Sequence, residues 1–143
     1  MSIPGKVKDF IETCPFLKEF EMMMAPVVNM NLLDENPTMY SIEETPVNPI
    51  LKRYTNGDTL RQYVFSFCSR ELYEPVENLE TAGFYEKFAD WLEECTENNN
   101  LPQLSGKLES KEIKAVTNGY LYDNQGLNCQ YRIQCQFIYY KRR

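Results

Sequence analysis

The order of patterns along this chain predicts an α+β domain, a mostly antiparallel β-sheet with two helices packed on one face. Three observations carry that expectation. From Asn128 to Tyr140, Cys129, Tyr131, Ile133, Cys135, Phe137 and Tyr139 share one parity, while Gln130, Arg132, Gln134 and Gln136 take the other; this is the period-two pattern of a long, half-buried strand. Phe84, Phe88, Trp91, Leu92 and Cys95 instead recur at i, i+4, i+7, i+8 and i+11, the apolar stripe of a helix. Strand patterns fall in groups with helical patterns between them, unlike the regular alternation of a parallel α/β sheet.

Taken in order, Val7, Phe10, Ile11 and Cys14 form one apolar stripe, so Lys6–Cys14 reads as a short helix that Pro15 stops. A strand is expected around Val27–Leu33, ending at the turn Asp34-Glu35-Asn36-Pro37, and a second over Thr38–Glu44. Pro46 and Pro49 mark an irregular connection. Ile50–Thr55 and Thr59–Arg70 flank Asn56-Gly57, a dipeptide that predicts a hairpin with a type I′ turn and positive φ at both central residues. In the second arm Tyr63, Phe65 and Phe67 alternate with Gln62, Val64 and Ser66. Pro75–Thr96 is the main helix, with Gly83 a candidate divider between its first turns and the rest. Its other side carries Glu86, Lys87, Asp90, Glu93 and Glu94, and Asn98-Asn99-Asn100 ends it. After a loop over Leu101–Gly106, strands over Glu112–Tyr122 and Leu127–Tyr140 are expected, joined by the four-residue loop Asp123–Gly126.

A chain of 143 residues fits a single domain over 1–143 and can bury a core without disulfides or metal. The five cysteines show no Cys-x-x-Cys spacing, and most lie on apolar stripes, so they read as buried thiols. No apolar run reaches the roughly 20 residues of a membrane span, and the first residues lack a signal-peptide core; the expectation is a cytosol-like compartment without membrane contact. There is no histidine, which removes the commonest zinc ligand, the commonest general base near neutral pH and the usual activator of Ser and Cys nucleophiles.

Net charge is −6, unevenly spread: residues 71–97 hold nine acids and one base, whereas 50–70 and 107–143 together hold four acids and eleven bases. Such a bipolar subunit can join copies of itself, acidic surface to basic; a solvated acidic helix is the plainer alternative. Sequence-specific nucleic-acid binding is disfavoured, since the total is acidic and no basic helix is present.

Glu43-Glu44 is the only paired carboxylate on a strand, and neighbours on a strand point to opposite faces, so the pair does not grip one proton or metal. No phosphate loop, Walker motif or calcium loop occurs, and Ser69 beside Arg70 and Glu71 has no base to activate it. No catalytic residue, metal ligand or cofactor site is assigned. Met22, Met23 and Met24 suit either an adaptable docking loop or plain core filling. The row Gln130, Arg132, Gln134, Gln136 is the leading interface candidate: if helices cover one face of the sheet, this row lies on the other, open to solvent, a neighbouring subunit or a lumen. The acidic helix residues Glu86, Asp90 and Glu93 are the second.

Tyr40–Tyr73 (YSIEETPVNPILKRYTNGDTLRQYVFSFCSRELY), Gly83–Glu94 (GFYEKFADWLEE) and Tyr131–Tyr140 (YRIQCQFIYY), with the end of the first helix, resemble the small tail-terminator or minor capsid proteins of long-tailed bacteriophages and prophages of Gram-positive hosts. The match is one of overall pattern, without a catalytic signature; residues 21–36 fit least. The resemblance implies a virion protein whose copies close into a ring, commonly a hexamer, on the head-proximal end of the tail tube. Its partners would be itself, the major tail protein and a head-completion or connector protein. A head-completion protein is the nearest alternative, and a small-molecule-binding or enzymatic domain the alternative from another class.

Overall fold

A computed structural model describes residues 2–15, 17, 28–30, 40–72, 75–125 and 128–143. Its elements are α1 (Ile3–Ile11), β1 (Val28–Met30), β2 (Tyr40–Glu44), β3 (Ile50–Arg53), β4 (Thr59–Leu72), α2 (Pro75–Glu97), β5 (Leu108–Ala115), β6 (Tyr120–Gln125) and β7 (Asn128–Lys141). Met22, Met23 and Met24, and the expected turn at Asp34–Pro37, lie outside the described residues.

The centre of the fold is an antiparallel ribbon of β4 and β7, each of 14 residues and paired along its whole length from Thr59↔Lys141 to Leu72↔Asn128. At a rise of about 3.3 Å per residue the ribbon spans roughly 46 Å. Two shorter strands lie end to end along each margin: β2 and β3 on β4, β5 and β6 on β7. β1 extends the β2 side and is the one parallel partner among the described strands. The α+β expectation therefore holds, with a mostly antiparallel sheet.

Alternation determines the two faces. Tyr131, Ile133, Cys135, Phe137 and Tyr139 of β7 are buried on the same face as Phe65 and Phe67 of β4 and Tyr40 and Ile42 of β2. Both helices cover that face. Phe88 of α2 stacks on Phe67 at 4.6 Å between centroids, and Phe10 of α1 stacks on Trp91 at 5.1 Å. Each fully buried aromatic contributes about 1.5–3 kcal/mol through the water it sheds. Tyr85, absent from the predicted stripe, is also buried; it donates to the Tyr131 carbonyl at 3.2 Å, so Ser69, 2.7 Å away, is the donor in their hydroxyl pair. Ser69 is thus a core hydrogen-bonding residue.

Several expectations are corrected. The first helix starts at Ile3, capped by the Ser2 hydroxyl on the Gly5 N–H (3.1 Å), and stops at Ile11, because Thr13 and Cys14 turn back in i→i−3 bonds to Phe10 and Ile11. Gly83 does not divide α2, which is continuous through it. Its end is a Schellman motif: Asn99 takes φ +56°, Asn100 N–H bonds the Cys95 carbonyl and Asn99 N–H that of Thr96. The Asn56-Gly57 hairpin is not type I′. Gly57 alone has positive φ (+94°), Gly57 N–H bonds the Tyr54 carbonyl and Tyr54 N–H bonds that of Asp58, a three-residue loop ending in a bulge. Asn56 stays out of the left-handed region and uses its side-chain oxygen to accept from the Asp58 N–H at 3.0 Å.

The expected strand over Glu112–Tyr122 is two strands. The Thr117 hydroxyl, in place of a backbone carbonyl, accepts from Gln134 N–H (3.0 Å), which interrupts the ladder after Val116. Gly119, in the gap, passes so close to α2 that a Cβ there would lie 2.5 Å from Cβ of Tyr85. The expected loop Asp123–Gly126 is shorter as well, since pairing runs on to Gln125↔Asn128.

Candidate functional site

The face of the ribbon that neither described helix covers collects the even-numbered side of β7 with its neighbours: Ser41 and Glu43 from β2, Gln62, Val64, Ser66 and Cys68 from β4, and Glu112 and Lys114 from β5. Gln130, Arg132, Gln134 and Gln136 all lie here, as alternation predicts. The structure arranges them in two networks.

Arg132 is the hub of the first. Its guanidinium pairs with the Glu43 carboxylate, its Nε donates to Gln130 Oε1 at 2.7 Å, and it lies 3.8 Å over the ring of Tyr122. The two charged side chains retain only 18% and 27% of their exposure. Shielding from water strengthens such a pair, and the hydrogen bond and aromatic face supply the remaining partners a part-buried guanidinium needs. Cys68, facing Arg132 across the ladder, donates its S–H to Glu43 at 3.5 Å. Burial pushes its thiol up to about 12, ahead of the smaller opposing influence of Arg132, so it is a packed thiol and not a nucleophile. Arg132 is therefore a structural residue of the subunit, and Gln130, buried beside it, is tied to the same clamp.

The second network is a line of carboxamides. Gln136 Nε2 donates to Gln62 Oε1 at 2.7 Å, and Gln62 Nε2 donates to the Asn48 carbonyl at 2.8 Å. It crosses from β7 over β4 to the irregular connection before β3. Gln134 stands half-buried between the two networks. A surface whose polar groups are already ordered loses little side-chain freedom when a partner covers it.

At the far end of this face Tyr140 donates to Asp58 at 2.5 Å, and the Arg143 N–H donates to the other carboxylate oxygen at 2.9 Å. Those bonds, the tyrosine first, hold the Asp58 carboxyl below its usual range. Among the described residues no group of three or more Cys, Asp or Glu is placed to hold a metal ion, and no helix is long and apolar enough to cross a membrane. Glu43 and Glu44 diverge as expected: Glu43 meets Arg132 on the open face, and Glu44 meets the Tyr63 hydroxyl at 3.5 Å on the other.

Glu86, Asp90 and Glu93 are exposed on α2, Asp90 and Glu93 beside β5 and Glu86 beside the gap at Gly119. These acids lie along the β5 margin of α2 and none joins the networks of the glutamine row. Sequence reasoning missed Glu43, Tyr122 and Gln62 as members of the open face; only the register that sets them beside Arg132 and Gln136 reveals them. The chain matches no protein-family model, and no curated protein matches it significantly.

Proposed function

We propose that this chain is a structural protein of a long-tailed bacteriophage virion, without enzymatic activity. It sits as a ring on the head-proximal end of the tail tube, ends polymerisation of the major tail protein and forms part of the joint with the head. The observation that carries this reading is the face of the β4–β7 ribbon that neither described helix covers, whose glutamine and arginine side chains are held in place and suited to a wet protein contact. The resemblance of Tyr40–Tyr73, Gly83–Glu94 and Tyr131–Tyr140 to tail-terminator proteins supplies the setting.

The test is to add the purified protein to growing tubes of its cognate major tail protein and to follow them by electron microscopy. Density at one end of each tube and arrested growth are expected. Tubes that grow unchanged, without bound protein, would refute the proposal. Binding to filled heads but not to isolated tails would transfer the protein to the capsid side of the joint.

A further inference from the structure

We infer that copies of this chain join head to tail, the β3 hairpin of one copy entering an acidic groove between α2 and β5 of the next. The inference deepens the proposed ring by naming its two contact surfaces, and it rests on that reading.

The groove lies where α2 runs beside β5 and encloses about 450 Å³. Ala89, Ile113 and Ala115 line its apolar part, and Asp90, Glu93 and Glu97 line its helix side. Lys114 is the base at the groove, and it is held by Glu112 at 3.1 Å. No ion pair joins Asp90, Glu93 or Glu97 to another described residue. Their position is unfavourable within the isolated subunit. Glu94 and Glu97 stand in the final turn of α2 with no base among them, where the helix dipole already presents its negative end. A cationic partner at the groove would relieve that repulsion.

The complementary surface lies on the opposite margin of the same sheet. Lys52 and Arg53 are exposed on β3, and between them and the Pro49 connection Leu51 stays 43% exposed, one of few large apolar side chains so open. Lys52 rests over the Tyr54 ring at 5.0 Å, and no described acid pairs with it or with Arg53. An extended segment with two cations and one apolar side chain fits a groove with an apolar floor and acidic wall. Across the sheet the strands run β3, β4, β7, β5, and Lys52 is level with Tyr140 whereas Ile113 is level with Phe137, so the two surfaces lie on opposite edges, three strand spacings (roughly 14 Å) apart across the sheet and offset along the strands. Unlike patches on opposite edges make a heterologous contact, the kind that closes into a ring when its rotation permits. Direct strand addition to β5 is blocked at its middle, because the Thr96 hydroxyl occupies both the N–H and the carbonyl of Ile113 (3.1 and 2.7 Å); side-chain docking is left as the mode.

The test uses three variants of the full chain: K52E/R53E in the hairpin, E93K/E97K in the groove, and all four together. Sedimentation velocity should show self-association weakened at least roughly tenfold in each of the first two, and regained in the fourfold variant and in an equimolar mixture of the two double variants. The groove variant should also melt higher than wild type as a monomer, since it removes acids from the helix C-terminus, so lost association cannot be ascribed to unfolding. Carbodiimide coupling of mixed light and heavy-isotope wild-type chains should link Lys52 of one copy to Asp90, Glu93 or Glu97 of another. Association unaffected by either double variant, failure of the fourfold variant to regain it, or a monomeric wild type without mixed-isotope links overturns the contact. A chain that associates in this manner but ignores tail tubes loses the tail role and keeps the contact.

Discussion

Replacing Thr96 with Val keeps the side-chain shape and deletes one hydroxyl that makes two bonds. That hydroxyl donates to the Ile113 carbonyl at 2.7 Å and accepts from the Ile113 N–H at 3.1 Å, fastening the middle of β5 to the last turns of α2. A net contribution of about 1 kcal/mol for each bond gives a loss of about 2 kcal/mol, and more if the groove keeps water from the orphaned groups. Unfolding entropy of about 2.1 cal/mol/K per residue over a chain of this length converts that to a fall in Tm of about 7 °C. Circular dichroism on heating reads it. Thr96→Ser, which retains the hydroxyl, should lose less than half as much. Amide exchange at Ile113 should accelerate in the valine variant alone. The freed strand edge should also raise the tendency to aggregate, since an uncovered edge templates pairing between chains. A valine variant that melts within about 1 °C of wild type, with Ile113 exchange unchanged, would show that the edge is secured by packing and not by the hydroxyl.

Further outcomes follow from the contacts around the ribbon. Gly119→Ala places a methyl group against Tyr85 and should cost about 1–3 kcal/mol by urea titration, whereas Gly83→Ala, with open space around it, should stabilise by about 0.5–1 kcal/mol. Arg132→Met should destabilise by about 1–3 kcal/mol, below the figure for a wholly buried pair because Arg132 and Glu43 keep some contact with solvent; an unchanged denaturation midpoint would return Arg132 to a pure contact role. Asp58 titrates lower in the folded chain than in the unfolded one, so its contribution is complete above the ordinary carboxylate range and is lost as pH falls through the depressed value; the amide shifts of Gly57 and Arg143 should report that loss by NMR, and Asp58→Asn should abolish it. Cys14, Cys68, Cys95 and Cys135 are buried, and burial raises the latter three thiols, so these four should react with thiol reagents only on unfolding; rapid native labelling of any one contradicts its placement.

Alternation made the central strands legible, because a period of two over Asn128–Tyr140 assigns every side chain to a face before any partner is known. The helix stripe was legible for the same reason, yet Tyr85 escaped it: taken from Phe88 and Leu92, the spacings i−3 and i−7 would have included it. The break between β5 and β6 was hidden because it depends on a side chain, Thr117, taking over a backbone acceptor. The turn at Gly57 was located correctly and typed wrongly, since the Asn56 side chain, bonded to Asp58, favours a different backbone path. At the candidate surface, sequence supplied the polar row but not its division into a clamp and a carboxamide line. Glu43 and Arg132 are far apart in the chain, and only the ordering β2–β4–β7 brings their charges together.

The ribbon also constrains how the protein is born. β4 and β7 are separated by the whole of α2, β5 and β6, so the longest ladder among the described strands closes only after β7 has left the ribosome. At roughly 5–20 residues per second, β4 waits several seconds for its main partner, with Phe65 and Phe67 lacking the strand that flanks them in the native sheet. Pairing between segments so distant in sequence is the slow step in closing a sheet, and it lengthens the time these side chains stand without their neighbours.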